Sequence, residues 1–205
     1  MFRAVDITTH QARLGDHHEQ AGFRQGRSTG DQVLALTTFI ENGFQLNQKT
    51  GAVFLDLTAA YDTVWHQGLL KLSNVLPRWA VESVALFLRN RRFRVHIGSK
   101  CSSWRSQING LPQDSVLSPC LFNVYINDLP ATSSRKFIYA DDIILLGRSF
   151  TEVEQTLSDD LEKLSGYFHR RRLLPSSTKT VSAVFHLHNA KADQELNVLI
   201  NNQRI

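Results

Sequence analysis

Residues 136–147 read Lys-Phe-Ile-Tyr-Ala-Asp-Asp-Ile-Ile-Leu-Leu-Gly, two short apolar runs with a pair of acids between them. Phe137 to Ala140 and Ile143 to Leu146 are rich in β-branched and aromatic residues, so the stretch reads as strand, tight turn, strand, with Asp141 and Asp142 at the junction. Two carboxylates at a hairpin tip repel each other. A solvated Asp-Asp turn is the simple reading, because Asp is a common turn former. A divalent cation would also relieve the repulsion, and Mg²⁺ suits a site offering one or two carboxylates with substrate phosphates completing the shell.

Outward from this hairpin, 52–57 is an apolar run with Asp56 embedded in it, the pattern of a buried strand ending in an acid. A buried carboxylate must pair with a base, cap a helix or bind metal. Thr58 could cap the next helix in place of Asp56; that helix is expected over about 59–73, with Tyr61 and Trp65 on one face. Further upstream, the glycine-punctuated stretch 20–29 leads to a helix capped by Ser28 or Thr29, with Val33, Leu36, Ile40 and Phe44 as its apolar face. Arg24 and Arg27 lie on that bent loop and suit either simple surface charge or phosphate contacts.

Between the two acidic sites, Pro77 to Asn90 reads as an amphipathic helix with Val81, Val84 and Leu88 on one side. Two strands follow, Arg92 to Ile97 and about 103–108, around a Gly98-Ser99 turn. Their arginines, interleaved with Phe93, suit a charge-defended edge strand or a phosphate backbone. Residues 110–119 form a loop, with Ser118 and Pro119 as N-cap and first position of a helix carrying Phe122, Tyr125, Ile126 and Leu129. After the hairpin, Thr151 and Glu154 make a capping box for a long helix with Val153, Leu157, Leu161, Leu164 and Phe168 on one stripe, closed by Arg170 to Arg172. A final strand is expected at 181–187.

The 205 residues suffice for one domain with a real core, and the 42% hydrophobic content is that of a globular chain. No apolar run reaches membrane-spanning length and the N-terminus lacks an apolar signal region, so the expectation is an intracellular protein, in cytoplasm or nucleus, that is not secreted. Cys101 and Cys120 are too few for a metal cage and read as packing residues. A net charge of +4 and pI near 9.3 are compatible with a polyanionic partner.

The order of embedded Asp56, a Pro-Gln loop, an Asp-Asp hairpin and downstream Lys179 resembles reverse transcriptases. More narrowly, QAGFRQGRST (20–29), FLDLTAAYDTVWH (54–66), GLPQDSVLSPCLFNVYINDLP (110–130) and YADD (139–142) look like the polymerases of non-LTR, LINE-type retrotransposons of the jockey-like sort. The resemblance implies an α+β palm: an antiparallel sheet with helices packed on one face, partial fingers and no thumb. It implies a single partial domain, with about 1–50 as a fingers-side segment, about 51–190 as palm and 191–205 where the thumb-side region would begin. On this resemblance Asp56, Asp141 and Asp142 hold two Mg²⁺ ions, replaceable by Mn²⁺, which activate a primer 3′-hydroxyl and stabilise pyrophosphate. Tyr61 matches the aromatic gate against the nucleotide sugar, with a core aromatic as the alternative. Gln113 matches a residue beside the incoming nucleotide, Lys179 the lysine that protonates pyrophosphate, and Arg24 and Arg27 belong to the fingers side of the nucleotide site. The implied partners are an RNA template, a DNA primer and deoxynucleoside triphosphates, and no membrane.

Two departures from the family pattern stand out. Asp114 replaces the glycine of Pro-Gln-Gly, which permits positive φ or close backbone approach to substrate, and so adds a Cβ and a negative charge beside a triphosphate site. The chain also begins just before the Gly-Phe-Arg motif and ends near where a thumb would begin, which is expected of a truncated copy. Two other classes share features of the sequence: a non-catalytic nucleic-acid-binding remnant, through Arg89 to Arg94 and Arg170 to Arg172, and a metal-dependent phosphohydrolase, through the carboxylates.

Overall fold

A computed structural model describes residues 19–72, 76–148, 152–187, 195–200 and 203–205. In chain order the elements begin with α1 (Thr29–Gln45), β1 (Thr50–Leu55), α2 (Ala60–Thr63), α3 (His66–Leu72) and α4 (Arg78–Leu88). Four two-residue strands follow, β2 (Arg92–Phe93), β3 (His96–Ile97), β4 (Lys100–Cys101) and β5 (Arg105–Ser106), then α5 (Leu117–Tyr125). The rest are β6 (Arg135–Tyr139), β7 (Asp142–Arg148), α6 (Val153–Arg171), β8 (Val181–Phe185), β9 (Leu199–Ile200) and β10 (Gln203–Arg204). No helix among the described residues is long and apolar enough to cross a membrane. The chain divides into two compact units, one of Ala59–Asn127 and one of 19–58 with Asp128–Ile205.

The second of these units is built on a four-stranded antiparallel sheet in the order β6-β7-β1-β8. The central pair is in the register Gly51↔Gly147 and Ala52↔Leu146, so these two pairs face opposite sides of the sheet. On one side Ala52, Leu146 and Phe137 pack with Ala35, Leu36 and Phe39 of α1. On the other, a Cβ added at Gly51 would lie 2.7 Å from Val153 and 3.0 Å from Leu157 of α6, so the helix approaches as closely as it does because a glycine is there. The expected antiparallel sheet with packed helices is present, and α1 adds cover on the second face.

The stripe read for α6 is buried along its whole length, at Val153, Leu157, Leu161, Leu164 and Phe168. Each such side chain contributes roughly 1.5–3 kcal/mol on burial. The basic last turn, His169 to Arg171, complements the helix dipole for about 0.3–1 kcal/mol, so packing decides where this helix sits. Thr151 of the expected capping box lies outside the described residues. The N-cap is Glu152, whose side chain makes no capping bond, and Glu154 accepts the Asn197 N–H. β8 is not the last strand, because β9 and β10 form a small hairpin beyond it.

At α1 the capping box is made by Ser28 with Asp31. Of the face expected, Ile40 is buried, Leu36 packs on the sheet and Phe44 is half-buried, while Val33 is exposed and Gly43 is buried in addition. The sheet side is taken by Ala35, Leu36 and Phe39, where Arg148 lies 3.7 Å above the Phe39 ring.

In the other unit the expected helix over 59–73 is two helices. Val64 is extended at φ −51°, ψ 119°, its carbonyl accepts the Gly110 N–H at 2.8 Å, and Trp65 bridges Asn109. Tyr61 and Trp65 therefore do not share one helical face. α4 buries Ala80, Val84 and Leu88, with Ala80 in place of Val81. The strands after it form one interrupted hairpin, in which the register changes between Phe93↔Arg105 and His96↔Cys101. Two residues there oppose three, a bulge. α5 starts at Leu117 with Val116 as N-cap, so Ser118 is inside the helix, and its hydroxyl donates to the Pro112 carbonyl rather than capping. Phe122, Tyr125, Ile126 and Leu129 are buried, the last two beyond the helix end.

Candidate active site

Asp56 follows directly on β1, and the turn 174–180 holds its backbone on both sides. Its carbonyl accepts the Ser176 N–H at 2.8 Å and its N–H donates to Thr180 Oγ1 at 3.3 Å. The Thr58 N–H donates to the Leu174 carbonyl at 2.8 Å, so Leu57 lies opposite Pro175 in an antiparallel bridge. Thr58 uses its N–H on the Leu174 carbonyl, and α2 has Ala59 as an N-cap without a side-chain bond, so neither Asp56 nor Thr58 caps that helix. The Asp56 Oδ2 atom is buried and accepts no hydrogen bond, and the exposed Lys179 Nζ lies 3.7 Å from it.

The acidic hairpin differs by one residue from its expected form. Tyr139 pairs with Asp142, so the two-residue turn is Ala140-Asp141 and Asp142 is the first residue of β7. Ala140 carries the positive φ, 57°. The β1–β7 register runs to Leu55↔Ile143, which brings Asp56 alongside Asp142 where the ladder ends. The Asp142 carboxyl is pushed above the ordinary range, first by partial burial, then by the charges of Asp141 and Asp56. A cluster of three acids with mutual repulsion is thus gathered at one end of the sheet.

That repulsion fixes the sign of a pH effect. Between the ordinary and the raised value the folded chain binds more protons than the unfolded one at Asp142, so its contribution to stability falls as pH rises through that window. Asp142→Asn is expected to raise the melting temperature above the window in metal-free buffer. The two melting curves should converge below the ordinary carboxylate pKa of about 3.9. Identical melting temperatures at neutral pH would show that the repulsion is relieved some other way.

The donor set fits a divalent cation. Oxygen ligands on adjacent elements suit a hard ion, and the buried Asp56 Oδ2, which accepts no hydrogen bond and has the exposed Lys179 Nζ 3.7 Å away, could take one. Among the described residues no group of three or more His, Cys, Asp or Glu is arranged so that it could hold a metal ion. An ion here would take one or two carboxylates, with phosphate and water oxygens completing its shell.

Arg24 is half-buried and Arg27 exposed, on the tight turns after Ala21 in the same unit. In the other unit, Tyr61 stacks on the buried Phe122 with ring centroids 4.6 Å apart, and its carbonyl accepts the Leu111 N–H. Gln113 donates through Nε2 to both carboxylate oxygens of Asp62, at 3.0 and 3.3 Å. Asp114 has φ 57°, the left-handed conformation that is one of the two reasons for a glycine in the family pattern, and Asp tolerates it better than most residues.

Two residues at the hairpin were not among those singled out from the motifs. Gln20 contacts Ala140 across 120 positions and Gly22 lies against the same peptide. Nothing local in the sequence marks either one, beyond their place in the 20–29 motif.

The unit that carries the acids is thus an antiparallel palm-type sheet with Asp56, Asp141 and Asp142 near one end of its strands. Residues 2–199 match the family model for reverse transcriptase (RNA-dependent DNA polymerase), and the chain belongs to that family. It is 37% identical over 197 residues to the probable RNA-directed DNA polymerase from transposon BS of Drosophila melanogaster, covering 90% of this chain and 22% of that relative. It is 32% identical over 147 residues to the RNA-directed DNA polymerase from mobile element jockey of Drosophila funebris, covering 67% of this chain and 16% of that relative. The jockey-like resemblance read from the motifs holds, and the chain spans about a fifth of the length of these curated relatives. Among solved structures it shares its fold with apo telomerase from Candida tropicalis, at a TM-score of 0.65 and 11% identity over 92% of this chain and 36% of that one.

Proposed function

We propose that this chain carries the polymerising site of a retrotransposon reverse transcriptase, extending a DNA primer on an RNA template with deoxynucleoside triphosphates. The observation that carries the reading is the buried Asp56 Oδ2, which accepts no hydrogen bond, next to the Asp141-Asp142 hairpin. Asp56 and Asp141 would hold a pair of Mg²⁺ or Mn²⁺ ions, with Asp142 completing the acidic pair. Bound cations would supply activation of the primer 3′-hydroxyl and neutralisation of the leaving pyrophosphate. In the transfer, the primer 3′-oxygen bonds to the α-phosphorus and gives its proton to water, while the bond from the α-phosphorus to the oxygen bridging to the β-phosphate breaks and pyrophosphate leaves with that electron pair. Lys179 holds a proton at Nζ that can pass to the pyrophosphate, and its pairing with Asp56 keeps it near the acids. Tyr61, Gln113, Asp114, Arg24 and Arg27 are proposed to contact the nucleotide, by their place in the family motifs. Residues 1–50 are proposed as fingers-side, 51–190 as palm and 191–205 as leading toward a thumb.

Primer extension on an RNA template with Mg²⁺ tests this, comparing the chain with Asp141→Ala. Loss of a metal ligand is expected to abolish extension. Equal extension by both proteins would place the activity elsewhere.

A further inference from the structure

The segment from Glu19 to Gly22 runs along the outer edge of β6. The Ile138 N–H donates to the Glu19 carbonyl at 3.0 Å and the Ala21 N–H donates to the Ile138 carbonyl at 2.9 Å, a parallel bridge. An ion pair fastens the start of the segment, Glu19 to the buried Lys136 at 3.3 Å, and Lys136 Nζ also donates to the Pro130 carbonyl. Gln20, 5% exposed, then reaches the hairpin tip with its whole carboxamide. Its Oε1 accepts the Ala140 N–H at 3.0 Å and the Gly22 N–H at 2.7 Å, while Nε2 donates to the Ala140 carbonyl at 3.0 Å.

One side chain thus satisfies both polar groups of Ala140, the residue before Asp141. Ala140 sits at φ 57°, a conformation that a residue with a Cβ disfavours. The surroundings must hold it there. Gly22 adds a steric condition, because a Cβ at that position would lie 2.2 Å from the Ala140 nitrogen. Backbone cannot yield as a flexible side-chain end would.

We propose that Gln20 is a positioning residue for the acidic turn: its carboxamide fixes the left-handed Ala140 on which the placement of Asp141 depends, with Gly22 leaving room for the clamp. The inference rests on the polymerase reading for its purpose, but the clamp itself can be measured without activity.

The full chain and its variants Gln20→Ala, Gln20→Glu and Gly22→Ala are compared by amide hydrogen exchange and by Mn²⁺ titration followed by electron paramagnetic resonance. In Gln20→Ala the Ala140 amide is expected to exchange about tenfold faster, as for a lost buried hydrogen bond, while the amides of β1 and β7 keep their protection. Half-saturation by Mn²⁺ should rise by a similar factor, about tenfold. Gln20→Glu retains the acceptor for the Ala140 N–H and should retain its protection. Gly22→Ala should lose that protection with Gln20 intact. A folded Gln20→Ala protein with wild-type exchange at Ala140 overturns the proposal, as does a loss of protection spread across β1 and β7, which would mark a general structural role. If Gln20→Ala does not fold, unchanged Ala140 exchange in Gly22→Ala overturns it. Wild type binding Mn²⁺ no better than Asp141→Ala would sink the polymerase reading instead, and the exchange result would still decide the clamp.

Discussion

Replacing Asp160 with alanine is expected to destabilise the chain by about 3–5 kcal/mol, the cost of breaking a buried charged network by removing one partner. For a chain of this size that is a fall in melting temperature of roughly 6–20 °C. Asp160 is fully buried on α6. Its Oδ1 accepts the Ser133 N–H at 3.0 Å, and its Oδ2 accepts both the N–H and the hydroxyl of Ser134 at 2.7 Å. Lys163, one turn on, adds a pairing at 3.2 Å. Burial raises the carboxyl's pKa, but the bonds from Ser134, Ser133 and Lys163 outweigh it and hold the value below the ordinary range. Because the folded value is depressed, this stability is present above the ordinary pKa and is lost as pH falls through the folded one. The gap between wild type and Asp160→Ala should therefore narrow in acid. The network pins the loop that feeds β6, and so reaches the acidic hairpin through one strand. A thermal melt of Asp160→Ala within about 2 °C of wild type would mean that water takes over these donors, a cost below 1 kcal/mol.

Much of the unit that carries the acids is legible from local pattern. The α6 stripe, the apolar run of β1 and the two halves of the hairpin each announce themselves at their own spacing. Misreadings occur where a distant partner decides. The expected helix over 59–73 breaks because Val64 and Trp65 take partners at Gly110 and Asn109, 110 − 64 = 46 and 109 − 65 = 44 positions away. The turn at the tip follows the same rule. Turn statistics favour Asp over Ala in the left-handed conformation, yet Ala140 occupies it, since Gln20 bonds both its polar groups and Gly22 lies beside it. Asp56 was legible as an acid in an apolar strand. The turn 174–180 that holds its backbone was not, because those contacts are made by main-chain groups that any sequence possesses.

Asp56→Asn is expected to lower the rate of primer extension about a thousandfold while leaving the fold intact. Asparagine has nearly the shape of aspartate, and the bonds to Ser176 and Thr180 use the backbone of residue 56, so they survive the change. Removing the charge also lifts one source of repulsion on Asp142, so stability should rise in metal-free buffer. What disappears is the negative oxygen that would attract a cation. Metal ions supply several kcal/mol of charge stabilisation in such transfers, and about 4 kcal/mol corresponds to a factor of roughly 10³ in rate. Lys179→Ala separates the proton-donor role from the metal role. Its loss should fall in the range of about 10²–10⁴ for general acid catalysis. The metal concentration for half-maximal rate should rise in Asp56→Asn and stay near wild type in Lys179→Ala, whose side chain is exposed and gives up only a 3.7 Å pairing. An Asp56→Asn protein that extended primers within about tenfold of wild type, a difference of only about 1.4 kcal/mol, would take Asp56 out of the site and leave its buried Oδ2 without a catalytic purpose.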